Sequence, residues 1–283
     1  MKLCVGLDVG GTKIDGCLAD IETGEVHATE RVPNRASRPG AVVLDECVQL
    51  AERLAHGHLL GSVGIGICEL VDLAGRIQSA TTIDWRELDV CAAFAHLARA
   101  RLESDVRAAA VAEATFGAGR GHVEPWLYFS VGTGISYVLV QDGRPYTGAR
   151  GNALIVGAPP VETVASGAAL QKAASVRRAE ELFDKTGSPD LVRTATTALG
   201  AALATLANAL DPALIVIGGG LGLNDDYRRA AVVAMRERIE AEATRAVPVV
   251  PADLGVLAGP LGAALAGSNA GRSGAEMTWP APA

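Results

Sequence analysis

LDVGGTKIDG, residues 7–16, decides how the chain is read: the apolar run KLCVGL at 2–7 meets Asp8, two glycines, Thr12 and Lys13, then turns apolar again at Ile14. Glycine supplies the positive φ that a tight turn needs, so the stretch predicts a β-hairpin. Backbone N–H groups exposed at such a turn form a concavity for anions, and Thr12 adds a hydroxyl without blocking approach. Asp8 would repel a bare phosphate, but it fits if Mg²⁺ stands between them, usually through its waters. A single G-G-T also reads as a plain hairpin.

Further along, the pattern recurs. WLYFSVGTGISYVLV, residues 126–140, is strand, glycine turn (Gly132, Thr133, Gly134) and strand, and PALIVIGGGLG, residues 212–222, is a buried strand entering Gly218, Gly219 and Gly220. Internal similarity of this kind suggests a duplicated unit, and three such turns favour phosphates or a nucleotide over a plain hairpin. Neither a Walker loop nor a convincing G-x-G-x-x-G strand-to-helix unit is present. VHATERVP, 26–33, reads as a third strand and SVGIGICELVD, 62–72, as a buried one, while apolar spacing predicts helices over 40–58, 92–103, 167–183, 189–209 and 225–243. The expected fold is α/β: a first lobe over 1–110, a second over 111–258, a closing helix at 259–270 packing on the first lobe, and a loose tail at 271–283.

Composition narrows the partners. A chain of 283 residues that is 49% hydrophobic and 20% charged is globular. Its formal charge of −7 argues against a broad basic surface, so nucleic acid and membrane are not expected as partners and a small molecule is. Five cysteines, Cys4, Cys17, Cys47, Cys68 and Cys91, show no C-x-x-C pair and suit reduced thiols. With no secretory leader pattern and no apolar run of about 20 residues, the expected location is the cytoplasm.

DVGGTKI, SVGTGIS and NALDPALIVIGGGLG resemble, in order, the first phosphate, second phosphate and adenosine-side signatures of the ROK family (repressors, open reading frames, kinases). That family belongs to the actin-like ATPase superfamily and includes bacterial glucokinases. The resemblance implies a two-lobed, ribonuclease H-like fold with an interlobe cleft, ATP and Mg²⁺ as cofactors, and Gly10, Gly11, Thr12, Lys13, Gly132, Thr133 and Gly134 on the phosphates. LESDVRAAAVAEATFGAGRG, 102–121, is similar to the segment carrying the family's catalytic aspartate, which places Asp105 as general base and Ser104 where asparagine is usual. Capping of the helix after it is the other role open to Asp105. Similar proteins commonly pair, so the resemblance also implies a homodimer.

The chain departs from the family on the sugar side. Ile155 and Ala158 stand where a glutamate and a histidine are usual, the C-x-C-G-x-x-G-C cluster is missing, and no Cys or His follows His122, so no structural zinc is expected. Glu162, in VETVASG, matches a family glutamate, and Asn152 lies in the same stretch. In the first lobe Glu69 either faces the cleft or is a surface turn charge. The loop SATTIDW, 79–85, brings Thr82 and Asp84, with Trp85 reading as core. Arg107, Arg144 and Arg150 lean toward an anionic substrate. Losing two sugar-reading groups leaves hexose hydroxyls poorly paired, so the expected activity is phosphorylation of a modified sugar, a sugar phosphate or a cyclitol rather than plain glucose. The alternative is a non-catalytic ROK-type ligand sensor without its own DNA-binding domain.

Overall fold

A computed structural model describes residues 2–35, 38–154, 161–174, 179 and 188–268. Ile155, Ala158, the expected tail at 271–283 and most of 175–187 lie outside the described residues. In chain order the first elements are β1 (Leu3–Val9), β2 (Lys13–Asp20), β3 (Val26–Pro33), α1 (Gly40–Ala55), β4 (Ser62–Ile67), α2 (Val90–Ala93), β5 (Ala100–Ser104) and α3 (Asp105–Phe116). Then come β6 (Trp126–Val131), β7 (Ile135–Gln141), β8 (Arg144–Pro145), α4 (Glu162–Ala165), α5 (Gly167–Ala174) and α6 (Pro189–Leu210). The last are β9 (Ile215–Gly218), α7 (Asp225–Arg236), α8 (Glu242–Arg245), β10 (Val249–Pro251) and α9 (Ala258–Ser268).

Two compact units result. The described residues of Met1–Arg120, Gly143–Ala153 and Leu257–Ala283 form one, and those of Gly121–Asp142 and Leu154–Val256 form the other. The first unit holds a sheet in the order β3-β2-β1-β4-β5. β1 pairs antiparallel with β2 through the glycine turn, and parallel with β4, which pairs parallel with β5. Position in the sheet explains the sequence patterns. β1 is buried almost throughout, as a central strand is, whereas the edge strand β3 alternates half-buried and exposed residues. Helix α1 covers one face with Val43, Cys47, Leu50, Ala51 and Leu54 and ends at His56, whose left-handed backbone (φ 45°) sends its N–H to the Glu52 carbonyl.

Helix α9 is apolar all round and buried from Pro260 to Gly267. Its backbone packs directly on the sheet, because a Cβ on Gly64 would fall on the Ala263 carbonyl and one on Gly6 on the Pro260 carbonyl. Glycine at these two strand positions is therefore what lets α9 approach β1 and β4.

The second unit holds a sheet in the order β10-β9-β6-β7-β8. Helix α6 starts with Pro189 at its first turn and buries Ala195, Leu199, Leu203 and Ala207 in a core shared with α7 and the strands. Leu199 and Leu203 are core residues at 0% exposure.

One expected helix is absent. In place of 92–103 the chain forms only α2 and then the strand β5, whose residues pair from Val63↔Ala100 to Ile67↔Ser104. Ala, Arg, Leu and Glu favour a helix locally, but the parallel partner β4 buries Leu102 and overrides that preference. The helix expected over 225–243 stops at Arg236, and a short α8 follows.

Candidate active site

The strand register gathers the acidic candidates of the first unit. Asp8 lies near the carboxyl end of β1 opposite Gly66 of β4, and Ser104 ends β5 opposite Ile67. Asp105 follows as the first residue of α3, and a Cβ on Gly66 would stand 3.5 Å from its Cα. Carboxyl ends of adjacent parallel strands are where open α/β sheets bind ligands. Asp8 and Asp105 are both half-buried residues. Burial, then the charges of Asp105 and Asp15, push Asp8 up to about 7, with Lys13 and Arg31 opposing. Burial also pushes Asp105 up to about 6, against the Val106 N–H, the Ser104 hydroxyl and the Arg107 charge.

The role of helix cap does not describe Asp105. Ser104 occupies the N-cap position without a side-chain cap bond, and Asp105 takes only the N–H of Val106, at 2.7 Å. Ser104 Oγ is buried and meets no partner at hydrogen-bond geometry, although it is near enough to favour the charged form of Asp105.

The first glycine turn is tight: Gly10 N–H donates to the Lys13 carbonyl at 3.0 Å, with Gly10 and Gly11 half-buried and Thr12 exposed. Lys13 is in place but engaged, its ammonium 2.8 Å from Asp15. Arg31 of β3 also pairs with Asp15 through Nε, so a buried aspartate holds two cations beside the turn. Asn34 is the residue that sequence reading missed here. Its backbone N–H donates to the Thr12 carbonyl at 2.9 Å and its Nδ2 to the Gly10 carbonyl at 2.7 Å, so it clamps the turn from both sides. Nothing local in VPNRAS signals that role.

Glu69 is neither a surface turn charge nor open to a cleft. It is 3% exposed, and its carboxylate accepts from Ser79 Oγ and from the N–H groups of Thr81, Thr82 and Ile83. It thereby shapes the 79–83 loop, on which Thr82 is half-buried. Asp84 is exposed and bridged to Arg86 at 2.9 Å, and Trp85 is core at 1% exposure, its Nε1 donating to the Gly40 carbonyl at 2.7 Å. Asn152 is exposed in the 148–153 loop. Arg107 does not await an anion: it is 3% exposed and occupied by Glu103 and two backbone carbonyls. Arg144 and Arg150 are exposed.

In the second unit the other two glycine turns meet. Leu221 and Gly222 donate to the Val131 carbonyl at 3.0 and 2.9 Å, which seats the Gly218–Gly220 turn against the end of β6 just before Gly132. Gly219 has φ +81°, and a Cβ there would collide with Val131, so the position requires glycine. Gly167 and Ala168, opening α5, donate to the carbonyls of Gly132 and Thr133 at 2.7 and 3.1 Å. Glu162 Oε2 accepts from Ile135 N–H at 2.9 Å, closing the same turn, and burial pushes its carboxyl up. Tyr227 Oη donates to the Ala165 carbonyl at 2.7 Å and fixes α7 behind it. Thr133, Gly134 and Gly220 remain exposed at the surface of this scaffold.

A divalent cation fits the first unit chemically. Two carboxyls whose proton affinity is raised by burial, and for Asp8 also by the charge of Asp105, form a site short of positive charge, and Mg²⁺ takes one or two carboxylates while keeping its waters. Among the described residues, no group of three or more His, Cys, Asp or Glu is placed to hold a metal by itself. No helix among the described residues is long and apolar enough to cross a membrane.

Comparison with known proteins identifies the family. The model of the ROK family matches residues 4–268. A glucokinase of Streptomyces coelicolor is 30% identical, the match covering 93% of this chain and 97% of that one. The crystal structure of a ROK hexokinase from Thermus thermophilus superposes with a TM-score of 0.72 at 31% identity, covering 94% of this chain and 97% of that one. A ROK family glucokinase from Streptomyces griseus, solved in complex with glucose and AMPPNP, gives a TM-score of 0.78 at 26% identity, covering 93% and 98%. The chain belongs to the ROK family and has its α/β, actin-like ATPase fold.

Proposed function

We propose that the protein is a carbohydrate kinase that transfers the γ-phosphoryl group of ATP to a hydroxyl of a sugar-like acceptor, with Asp105 as general base. The observation that carries the reading is the pair Asp8, near the end of β1, and Asp105, which opens α3 just after β5, on either side of Gly66 of the intervening β4, in a chain whose relatives are sugar kinases. Asp105 accepts the acceptor's hydroxyl proton as that oxygen attacks the γ-phosphorus and ADP leaves. The buried Ser104 hydroxyl supplies a polar contact to the acceptor beside it. Backbone N–H groups and hydroxyls of Gly10–Lys13 and Gly132–Gly134 hold the phosphates, and Gly218–Gly220 line the adenosine side. Asp8 is the residue that would hold Mg²⁺ through water, and the ion would neutralise charge on the transferring phosphoryl group.

The acceptor is a modified sugar, an amino sugar, a sugar phosphate or a cyclitol. Ile155 and Ala158 offer no hydrogen bonds to a hexose, and an unpaired hydroxyl in a closed site weakens binding steeply. ADP release with Mg²⁺ across glucose, glucosamine, N-acetylmannosamine, glucose 6-phosphate and myo-inositol tests both parts. Turnover with one of the last four exceeding that with glucose supports the reading. Nucleotide binding with no turnover across a broad acceptor panel would point instead to the sensor.

A further inference from the structure

Arg107 is a buried cation that catalysis does not use. It lies two residues beyond Asp105, is 3% exposed, and forms an ion pair with Glu103 of 4% exposure, at 2.6 Å. Nε donates to Glu103 at 2.7 Å, one terminal nitrogen donates to the Val71 carbonyl at 2.8 Å, and the other to the Gly151 carbonyl. A guanidinium can satisfy such a divergent set because its five donors lie in one rigid plane; an ammonium cannot.

Each of the three segments so joined carries a group placed on the acceptor side. Glu103 precedes Ser104 and Asp105, and its carboxylate also accepts the Ser104 N–H at 2.8 Å. Val71 follows Glu69, and the neighbouring Leu70 bonds both Ser79 Oγ (2.9 Å) and Gln78 N–H (2.7 Å), so this strand end is tied to the loop bearing Thr82. Gly151 precedes Asn152 and needs its left-handed backbone (φ +83°), since a Cβ there would press on the Val71 carbonyl and Asp72. Burying a charge pair costs desolvation free energy that packing alone would avoid. What this pair provides in return is a fixed spacing between the β5–α3 junction and two loops.

We propose that Arg107 is the positioning residue of the acceptor site, setting the 69–83 and 148–153 loops against Asp105 and thereby determining acceptor affinity and not nucleotide affinity. This rests on the kinase reading above. The variants are Arg107→Lys, which keeps the charge and loses the fork, and the pair Glu103→Leu with Arg107→Met, which strands no buried charge. Acceptor KM is measured with whichever of glucose, glucosamine, N-acetylmannosamine, glucose 6-phosphate or myo-inositol the wild type phosphorylates fastest, alongside Mg-ATP KM and amide exchange of residues 149–153. Expected in both variants are an acceptor KM raised at least tenfold, a Mg-ATP KM within twofold of wild type, and faster exchange at 149–153. Unchanged acceptor KM, or equal loss of both affinities, would overturn the proposal, a lower melting temperature alone being what a merely structural ion pair gives. If the wild type phosphorylates none of the five, the kinase reading is what has failed. Exchange at 149–153 then decides the positioning role: unchanged exchange overturns it, and faster exchange upholds it.

Discussion

Replacing Gly64 by alanine tests how closely α9 is packed on the sheet, and Gly66 on the same strand and face supplies the control. An added Cβ at Gly64 would coincide with the backbone of Ala263, whereas one at Gly66 would stand 3.5 Å from the nearest atoms, an ordinary contact. Backbone cannot yield as a flexible side chain does, so α9 must retreat and uncover Leu261, Ala263, Ala264 and Leu265, all buried. Overpacking a tight core costs about 1–3 kcal/mol, and a backbone collision belongs at the upper end, about 3 kcal/mol. For a chain of this size that corresponds to a fall in melting temperature of roughly 6–12 °C. Gly66→Ala should be neutral or stabilising by about 0.5 kcal/mol, since glycine is costly in a strand. Thermal melting followed by circular dichroism, with hydrogen exchange of α9 and β4 to localise the loss to the first unit, measures both. Equal melting temperatures for the two variants would refute the close approach.

The raised carboxyls predict an unusual pH dependence. Asp8 and Asp105 bind protons more tightly folded than unfolded, so the metal-free protein gains stability as pH falls through about 7 and 6 toward 4, and that gain is absent above the folded values. Asp8→Asn and Asp105→Asn should therefore raise the melting temperature in EDTA at pH 8 and do so far less at pH 4.5; equal shifts at both pH values would contradict it. Glu69→Ala removes the acceptor for three backbone N–H groups and one hydroxyl in a buried loop, at a cost of about 3 kcal/mol or more, read by urea denaturation. A loss below about 1 kcal/mol would mean the loop is held otherwise.

What the sequence made legible is local. The turn in LDVGGTKIDG declares itself because strand, glycine and strand are contiguous, and the same holds for Gly132–Gly134, while Gly218–Gly220 is marked by the apolar strand that runs into it. ARLES was misleading because its helix-favouring residues become a strand only through β4, 37 residues earlier at Val63↔Ala100. The buried role of Glu69 was hidden because its partners lie 10–14 residues away, and although Glu103 stands one helical turn from Arg107, the two carbonyls that complete the guanidinium's set lie 36 and 44 residues away. Asn34 went unnoticed for the same reason, its side chain reaching back 24 residues to Gly10.

The kinase reading stands on Asp105. With an acceptor in hand, kcat of Asp105→Asn against wild type is the most direct test, run beside Mg-ATP affinity measured by calorimetry. Loss of the base should lower kcat by 10²–10⁴-fold, roughly the contribution of a positioned general base, with Mg-ATP affinity kept within a few-fold. A variant that still turns over at more than a tenth of the wild-type rate would show that Asp105 does not take the proton.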